Sequence, residues 1–540
     1  MRAPFARTLH DLACEQAERY GAAPALISQG REISYAELAA GSARVTAALR
    51  RHGVRRGDRI GLVASNRREW VEIALGAGGA GASLVPFSTW STRQELEFLL
   101  ADSNISLLFS QESFGDRNYA ADLSALLCDD TAESPSEAFR QLKGVVLIDA
   151  RRSHSFRSWE EFLGGGSEDL DHLPPGEAAG ADDDGLVLYT SGSSAKPKAV
   201  RLQHFGIVEN GFNIGERQGL GPGDRVLLSP PLFWSYGSAN AMAATLTHGG
   251  ALVLQERFAA AEALELIERH ACTAIYTLPS ITKAILRDPA FAPERCKTLR
   301  TGLTIGSPQD VIDAAERLGA REICNIYGAT ETYGNCCVTW HHWPLTPRAQ
   351  CQGPPLPGNT LRLVDPETGC EVASGEPGLV EVGGYITAGY SGASAEYNET
   401  AFTADGFYRT GDMARLNESG AIVFLGRSTE LIKRAGINIS PAEVEDILLR
   451  HPAVVQAGVV GVPDEERGEM VVAFVVPSEA QAVSPEALSA YCRSVASKYK
   501  VPDRIEICAA VPVTPTGKLQ RRELKKIAAE LVATGKVAHG

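Results

Sequence analysis

The sequence predicts an α/β protein with two parts: a large N-terminal domain of doubly wound sheets plus a β-rich subdomain, and a small α+β C-terminal domain. At 540 residues the chain is too long for a single hydrophobic core, so two or more domains are expected. Strand patterns alternate with helix patterns in the first part of the chain, which is typical of a mostly parallel sheet covered by helices on both faces. After Gly426 comes a compact unit of about 110 residues.

The first elements follow this alternation. Ala25–Ile27 and Arg59–Val63 are short apolar runs of the kind that form buried strands. Ser34 and Glu37 have the spacing of a capping box, so a helix is expected to begin after Ser34. Two stretches rich in Asp, Glu, Pro, Gly and Ala are predicted loops: residues 129–137 and 174–184.

The β-rich subdomain is predicted from two later apolar runs, Leu361–Val364 and Gly378–Val382. Turn sequences stand beside them at Asp365–Pro366 and Gly375–Pro377. Short strands joined by such turns favour an antiparallel arrangement.

A loop rich in hydroxyl groups follows another predicted buried strand, Gly185–Tyr189. It reads TSGSSAKPKA from Thr190 to Ala199. Hydroxyls and backbone N–H groups in such a loop can bind the oxygens of a polyphosphate, and a lysine supplies positive charge. The spacing differs from the phosphate loop of nucleoside triphosphatases, and a Ser/Gly/Lys run by itself is more often a surface turn. The candidate phosphate ligands are Thr190, Ser191, Gly192, Ser193, Ser194 and Lys198.

Four further motifs follow in a fixed order, and together with this loop they closely resemble the adenylate-forming superfamily. They are NIYGATE at Asn325–Glu331, FYRTGD at Phe407–Asp412, GRSTELIKRAG at Gly426–Gly436 and PVTPTGK at Pro512–Lys518. The superfamily contains acyl-CoA synthetases, peptide-synthetase adenylation domains and luciferases, and the chain is most similar to its acyl- or aryl-CoA ligase branch. The resemblance extends over nearly the whole chain.

The resemblance implies a division of the chain. Residues 1–426 would form the N-terminal domain that binds the adenylate and the acyl group. Residues 427–430 would be a hinge, with Thr429 at the hinge position. Residues 431–540 would be the C-terminal lid domain.

The resemblance also assigns a role to each matching polar residue. Glu331 would bind Mg²⁺, which prefers oxygen ligands, and Thr330 would reach the α-phosphate. Tyr327 would offer a flat face to adenine, and Asp412 would accept hydrogen bonds from the ribose hydroxyls. Lys518 would bridge the substrate carboxylate and the α-phosphate, because attack of one anion on another needs charge neutralisation. The other predicted nucleotide-binding residues are Gly306, Ser307, Asn325, Arg427 and Gly436.

Members of the superfamily run two reactions in one active site. After the acyl-adenylate forms, the small domain turns about the hinge, and the segment matching Lys433–Gly436 replaces Lys518 at the site. Both segments are present, which predicts a two-step acid–thiol ligase that uses ATP or an acyl-AMP, Mg²⁺ and coenzyme A. Only 22 residues follow Lys518, which favours free CoA over a fused carrier domain.

The acyl pocket is predicted from PLFWSYG at Pro231–Gly237, where the family places an aromatic residue or His beside the carboxylate. Here that residue is Trp234. No acidic residue occurs from Ser229 to Gln255, so the ammonium of an amino-acid substrate would lack a partner. We expect a bulky apolar acid: aryl, alicyclic or similar. The predicted lining is apolar, with aromatic residues and small residues together: Trp234, Tyr236, Ala239, Met242, Ala243, Gly328 and Gly334.

Three departures from the family pattern keep an alternative open. Ala195 and Ala199 replace glycines of the phosphate loop, and Ile305 replaces a glycine beside the adenine and acyl pocket. A Cβ can block close approach to phosphate, and a left-handed alanine costs about 1 kcal/mol. The alternative is a non-adenylating enzyme that makes the thioester from an adenylate supplied by a separate adenylating enzyme. A ligase loading a separate carrier protein and a nucleotide-binding pseudoenzyme are further alternatives.

Composition excludes other classes of protein. A net charge of −14 argues against a nucleic-acid partner, and no stretch of 18 apolar residues predicts a membrane span. The N-terminus lacks the apolar core of a signal peptide, and the 11 cysteines show no metal-ligand spacing. We expect a cytoplasmic enzyme whose partners are a small carboxylic acid or its adenylate and CoA; a homodimer is compatible with the sequence.

Overall fold

The computed structural model describes residues 2–127, 139, 141–149, 156–164, 178–190, 197–434, 437–464, 468–478, 483–496, 498–513 and 519–534. Helices and strands are numbered along the chain. The α-helices are α1 (Leu9–Tyr20), α2 (Tyr35–Arg51), α3 (Arg68–Gly79), α4 (Arg93–Ser103), α5 (Tyr119–Leu127), α6 (Trp159–Leu163), α7 (His204–Gln218), α8 (Ala243–Thr247), α9 (Ala260–Arg269), α10 (Pro279–Arg287), α11 (Pro308–Ile312), α12 (Leu345–Gln350), α13 (Asn398–Ala401), α14 (Pro441–Leu449), α15 (Pro485–Val495) and α16 (Arg521–Thr534).

The first large sheet has eight strands in the order β20-β11-β10-β4-β3-β5-β8-β9, parallel except at β11, which runs antiparallel to both of its neighbours. Its strands are β3 (Arg59–Val63), β4 (Ser83–Phe87), β5 (Leu107–Ser110), β8 (Val145–Leu147), β9 (Arg157–Ser158), β10 (Asp184–Thr190), β11 (Lys198–Gln203) and β20 (Tyr390–Ser391). A two-stranded ribbon, β6 (Ser113–Phe114) with β7 (Arg117–Asn118), follows β5.

The second large sheet also has eight strands, in the order β17-β16-β15-β14-β12-β13-β1-β2. It is parallel from β16 to β1 and antiparallel at both edges. Its strands are β1 (Pro24–Ser28), β2 (Arg31–Ser34), β12 (Arg225–Leu228), β13 (Ala251–Leu254), β14 (Ala274–Tyr276), β15 (Thr301–Thr304), β16 (Cys324–Tyr327) and β17 (Cys337–Val338).

The largest hydrophobic cluster joins residues of both sheets with those of α1, α2, α3, α7 and α8. Helix α3 is buried along its length from Trp70 to Gly79, because it is apolar around almost its whole circumference. Alternate strand residues face opposite ways. Leu62 lies in this cluster, whereas Val63 packs with α4 and α5 on the other face of its sheet. Helices therefore cover both faces, which confirms the doubly wound prediction.

Two smaller sheets complete the fold. The predicted β-rich subdomain is an antiparallel sheet of β18 (Thr360–Val364), β19 (Gly378–Gly383), β21 (Tyr408–Leu416) and β22 (Ile422–Arg427). The C-terminal α+β unit contains a five-stranded sheet of β23 (Ile432–Arg434), β24 (Ile437–Ile439), β25 (Val454–Asp464), β26 (Gly468–Pro477) and β27 (Arg504–Ile507).

The helix start that the capping box predicted is present in the structure. The Ser34–Glu37 capping box opens α2: Ser34 Oγ accepts from the Glu37 N–H at 3.2 Å, and Glu37 Oε2 accepts from the Ser34 N–H at 2.8 Å. The predicted loop 129–137 lies outside the described residues. Residues 178–183 are non-helical as predicted, but Asp184 already begins β10.

Among the residues that the structure describes, no helix is long and apolar enough to cross a membrane.

Candidate active site

The candidate site lies where strands of both large sheets end. Strands β10 and β16 end at Thr190 and Tyr327, both predicted site residues, and β15 ends at Thr304, two residues before Gly306. The carboxyl ends of parallel strands are the usual ligand-binding edge of an α/β sheet. Several predicted residues lie outside the described part of the chain: Ser191, Gly192, Ser193, Ser194, Ala195, Gly436 and Lys518.

Glu331 is a buried carboxylate in the short 3-10 turn Thr330–Thr332. The Tyr390 hydroxyl donates to Glu331 Oε1 at 2.9 Å and lies 3.3 Å from the Tyr408 hydroxyl. Burial, together with the negative charge of Glu331, raises the pKa of Tyr390, which keeps this hydroxyl a donor. Glu331 therefore has one oxygen fixed by a tyrosine from the edge strand β20.

The turn that carries Glu331 ends in a strained residue. Tyr333 has a left-handed backbone with φ of 55°, which is rare for a bulky side chain. Its ring is fully buried, and its hydroxyl accepts from the Gln203 N–H at 3.0 Å. On the other side, Thr330 Oγ1 lies 3.2 Å from Ser235 Oγ. The turn is thus held on two sides, against the end of β11 and against the segment containing Trp234.

Asp412 is the second buried carboxylate of the site. The Tyr327 hydroxyl donates to its Oδ2 at 2.8 Å, and Arg427 Nε lies 2.8 Å from its Oδ1. The register of β21 and β22 places Asp412 directly opposite Arg427. Burial raises the pKa of Asp412, although the Arg427 guanidinium opposes this. Each carboxylate oxygen has two lone pairs, so capacity to accept further hydrogen bonds remains.

Sequence reasoning missed a partner of Tyr327. The Phe424 ring on β22 lies 5.8 Å from the Tyr327 ring, with 30° between the planes, and Phe424 is 37% exposed. Phe424 reaches this position because β22 pairs with β21, and no sequence motif indicates that pairing.

Lys198 and Ala199 lie in strand β11 and not in a loop. Lys198 stands opposite Thr190, and its Nζ lies 4.1 Å from the centre of the Tyr397 ring and 5.3 Å from that of Tyr390. Ala199 is buried, pairs with Tyr189, and is not among the residues with positive φ. The predicted cost of a left-handed alanine is therefore wrong for Ala199, because an extended strand suits any L-residue.

Trp234 begins the predicted acyl pocket. Its ring meets that of Trp90 edge to face, with centres 5.2 Å apart, and Trp90 also contacts Phe233 at 5.4 Å. Trp90 is 45% exposed and comes from the segment between β4 and α4, so no sequence motif linked it to the site. Such edge-to-face aromatic contacts define a rigid apolar wall.

The residues after Trp234 form a π-helix, Tyr236–Met242. The Tyr236 hydroxyl donates to the carbonyls of Thr277 and Leu303 at 3.1 and 2.9 Å, so it is already paired. Ala239 and Met242 are fully buried. Ala243 is placed differently from the prediction. A Cβ added to Gly211 would lie 2.5 Å from Ala243 Cβ, so Ala243 faces α7 and not a pocket.

Gly328 and Gly334 lie against each other. A Cβ on Gly328 would lie 2.4 Å from the Gly334 carbonyl, and a Cβ on Gly334 would lie 2.2 Å from Asn240 Nδ2. Gly334 also has φ of 88°, which favours glycine. The two glycines bring the π-helix and the segment after β16 together, and the Asn240 amide packs against Gly334. The sequence analysis did not identify Asn240, since an asparagine in an apolar segment has no motif.

Three predicted nucleotide-binding residues follow β15 or begin β16. Ser307 caps α11, and its Oγ donates to Asp310 Oδ2 at 2.8 Å. Gly306 precedes it, next to Ile305, which is 39% exposed. Asn325 is fully buried and donates to the Cys351 carbonyl at 3.0 Å. For these residues a nucleotide contact stays a prediction.

The C-terminal unit carries Lys433 and follows the predicted hinge. Lys433 is exposed on β23, and its backbone N–H donates to Glu469 at 2.8 Å. Thr429 is exposed in a turn, and the next residue, Glu430, pairs with Arg521 at 3.0 Å. Thr429 as the hinge, and the domain limits around it, stay predictions.

Comparisons with known proteins agree with this architecture. Residues 14–391 match the model of the family described as AMP-binding enzyme, and residues 443–518 match the model of the AMP-binding enzyme C-terminal domain. The chain belongs to the AMP-binding enzyme family.

Named relatives in this family are CoA ligases. The chain is 30% identical to the mitochondrial medium-chain acyl-CoA ligase ACSF2 of Mus musculus over 520 residues, which cover 93% of this chain and 84% of the relative. It is 30% identical to the acyl-CoA ligase sidI of Aspergillus fumigatus over 545 residues, covering 97% and 92%. A solved structure of the anthranilate CoA ligase AuaEII with anthranoyl-AMP is similar with a TM-score of 0.83 and 25% identity, covering 99% and 100%.

Membership settles the reaction class. The protein is an acyl-CoA ligase of the adenylate-forming enzymes, whose reactions use ATP with Mg²⁺ and coenzyme A, as the sequence predicted. The pseudoenzyme alternative has no support among these relatives.

Proposed function

We propose that this enzyme activates a bulky carboxylic acid in two steps and releases it as a CoA thioester. In the first step a carboxylate oxygen attacks the α-phosphorus of ATP; the bond to the β-phosphate oxygen breaks and pyrophosphate leaves. In the second step the CoA sulfur attacks the acyl carbon; the thiol proton is lost and AMP leaves. The observation that carries the proposal is the placement of two buried carboxylates beside the carboxyl end of β16: Tyr327, its last residue, donates to Asp412, and Glu331 follows four residues later.

The chemistry of Glu331 suits Mg²⁺. It is a carboxylate held by a neutral tyrosine hydroxyl, so its negative charge is kept for a cation, and hard cations prefer oxygen ligands. When bound, Mg²⁺ would neutralise charge on the phosphates. We assign Glu331 to hold it, with Thr190 and Lys198 facing the phosphates from β10 and β11.

The pair of Asp412 and Arg427 suits the nucleoside. Asp412 keeps acceptor capacity for two ribose hydroxyls, and its charge is balanced by Arg427. The Tyr327 ring, with Phe424 beside it, offers aromatic surface for adenine. Lys518 and Lys433 keep their predicted roles in the first and second steps.

The position of Ala199 favours the full ligase over the non-adenylating alternative. That alternative rested on Ala195, Ala199 and Ile305, and Ala199 carries no left-handed strain. Ile305 is partly exposed beside Gly306, where apolar surface is compatible with a bound base. Ala195 is the remaining support for the alternative.

A bulky acid is supported by the wall of Trp234, Trp90 and Phe233 and by the π-helix that follows it. AuaEII, the anthranilate CoA ligase, shows that this fold accepts an aryl acid in one neighbour. We propose an aryl, alicyclic or similarly bulky acid, with free CoA as the acceptor rather than a carrier protein. The described cysteines are free thiols, which supports a reducing compartment such as the cytoplasm.

A paired assay tests the proposal. One arm offers acids with ATP, Mg²⁺ and CoA; the other offers matching synthetic acyl-adenylates with CoA. A full ligase gives thioester in both arms, and thioester in the second arm alone would contradict it. Lys518→Ala should lower the first arm by about two or more orders of magnitude and spare the second. The matched control, Lys525→Ala, removes a surface lysine paired with Glu469 and should change neither.

A further inference from the structure

Asn240 is a carboxamide buried without a partner. Its residue is 0% exposed, and neither Oδ1 nor Nδ2 has a hydrogen-bond partner. In the part of the chain that the structure describes, one other buried carboxamide has both polar atoms unpaired, namely Asn335. Buried polar groups are hydrogen-bonded in roughly nine cases of ten. Two doubly unpaired amides in one neighbourhood therefore call for an explanation outside the protein itself.

Both asparagines lie against glycines that the sequence assigned to the acyl pocket. Asn240 Nδ2 lies where a side chain at residue 334 would begin, 2.2 Å from a Cβ added to Gly334, and Asn335 is the next residue. A Cβ on Gly328 would lie 2.5 Å from Asn335 Cα. Gly328 and Gly334 are the two glycines assigned to the acyl pocket, and Asn240 and Asn335 pack directly against them.

The position of Asn240 also sets a length. It lies six residues beyond Trp234, which is more than one helical turn. The turn that presents it is a π-helix, a form found frequently at functional sites. A ligand whose carboxylate lies beside Trp234 needs a ring-sized body to reach Asn240.

The surroundings restrict the chemistry of the group that Asn240 can bind. Its neighbours on the π-helix, Ala239, Ala241 and Met242, are fully buried and apolar. A charged substituent placed there would be buried among apolar residues with a neutral amide as its partner, at a large desolvation cost. A neutral donor or acceptor would pair with the amide at no such cost.

We propose that the acid substrate carries a neutral hydrogen-bonding substituent, such as a hydroxyl, an aryl amine or a carbonyl, on the part of the ring farthest from its carboxylate, and that Asn240 binds this substituent, with Asn335 beside it. This inference rests on the proposed function, since it concerns the acid of the same reaction. It modifies the predicted apolar pocket, because the lining would be apolar near Trp234 and polar at Asn240.

Matched pairs of acids test the inference. Benzoate is compared with its 3- and 4-hydroxy and 3- and 4-amino derivatives, and cyclohexanecarboxylate with its 3- and 4-hydroxy derivatives, by kcat/KM for thioester formation. The wild type should prefer at least one substituted acid over its unsubstituted parent by about tenfold or more, because the parent acid leaves the Asn240 amide unpaired. Asn240→Leu should bring this ratio close to one and raise the rate with the parent acid.

A matched control separates recognition from packing. Gln218→Met also replaces a fully buried amide by an apolar side chain, but Gln218 Nε2 is paired with the Tyr276 hydroxyl at 2.9 Å. Gln218→Met should lower Tm and leave the preference unchanged, whereas Asn240→Leu should not lower Tm, because no hydrogen bond within the protein is lost. If Asn240→Leu fails to fold, Asn240→Ala, which only removes atoms, takes its place in the assay.

Binding measurements keep this inference distinct from the proposed function. Calorimetric titration with acyl-sulfamoyl adenosines of the same acids needs no turnover, so the tenfold preference is measurable even if no thioester forms. Absence of thioester from every acid would contradict the proposed function alone. A wild type without preference in either assay, or a preference that survives in Asn240→Leu, would overturn the inference.

Discussion

The nucleotide end and the acyl end of the candidate site differ in how their buried polar groups are paired. At the nucleotide end, Glu331 is bonded to Tyr390, and Asp412 is contacted by both Tyr327 and Arg427. At the acyl end, the side-chain amides of Asn240 and Asn335 have no hydrogen-bond partner within the protein. The nucleotide end is thus organised before ligand arrives, as expected where charge must be stabilised in fixed geometry, whereas the acyl end leaves polar groups to be paired by the substrate itself.

The largest effect should follow from removing the charge of Asp412 at the nucleotide end. Asp412→Asn removes the charge that Arg427 balances and weakens the acceptor for the ribose, so adenylation measured by pyrophosphate exchange should fall by about 100-fold or more. Asp405→Asn is the matched control, because Asp405 pairs with Arg362 at an exposed position on the same subdomain. Asp405→Asn should leave exchange within about twofold; equal losses in the two variants would show that the effect is structural.

A smaller effect should follow from removing the hydroxyl group that is bonded to Glu331 while Glu331 itself is kept. Tyr390→Phe deletes the hydroxyl that donates to Glu331 and keeps the ring beside Lys198. Partners of metal ligands are worth roughly 10- to 100-fold in metal affinity, so the Mg²⁺ concentration for half-maximal adenylation should rise about tenfold. Tyr397→Phe, which keeps the ring that Lys198 contacts most closely, should leave the Mg²⁺ requirement unchanged. An unaltered Mg²⁺ curve for Tyr390→Phe would mean that Glu331 does not hold the metal.

The two ends should also differ in their response to pH. Burial raises the pKa of Asp412, so its carboxylate takes up a proton at a higher pH than an ordinary aspartate, whose pKa is about 3.9. As pH falls toward that raised pKa, the acceptor charge is lost and the Kd for ATP should increase; in Asp412→Asn this pH dependence should disappear. The preference for a hydroxy acid over its parent should not change over the same range, since carboxamides do not titrate. Fluorescent-ATP binding and matched-pair kinetics measure the two quantities, and a parallel change in both would remove the contrast between the ends.

The smallest effect is expected at Ala199. Because this residue lies extended in β11, Ala199→Gly should change adenylation by less than about twofold, while costing about 0.5–1 kcal/mol of stability as glycine does in a strand. Ala195→Gly should carry any gain that restored glycines bring to the ATP-dependent step. A several-fold gain from Ala199→Gly alone would show that its Cβ does restrict the phosphate loop.

Part of the fold and of the site was predictable from the sequence because it depends on residues that are close together in the chain. The capping box at Ser34 and the alternating strands reflect neighbours in the chain, and the motifs containing Glu331 and Asp412 keep a fixed spacing. Tyr390, Phe424 and Trp90 were not predicted, since each reaches the site from a separate segment through strand pairing or ring contact. Asn240 could not be recognised because its significance is the absence of a partner, which only packing reveals.

The prediction about Ala199 failed for a related reason. The family loop has glycine at this position, so a restricted alanine there kept the non-adenylating alternative open beside the preferred full ligase. In the structure β11 begins one residue earlier, at Lys198, and pairing with both β10 and β20 makes the backbone extended. Pairing with neighbouring strands therefore decided the conformation, and the motif alone did not indicate where the loop ends.

Acid-dependent pyrophosphate exchange into ATP, measured with the wild-type chain in the absence of CoA, tests the central claim most directly. It isolates the first step, which needs the nucleotide end and the acyl end together. We predict exchange that requires both Mg²⁺ and an acid, and that is faster with a hydroxy- or amino-substituted aryl or alicyclic acid than with its unsubstituted parent. No exchange with any acid whose synthetic adenylate the enzyme converts to a CoA thioester would contradict the account, because the chain would then catalyse only the second step.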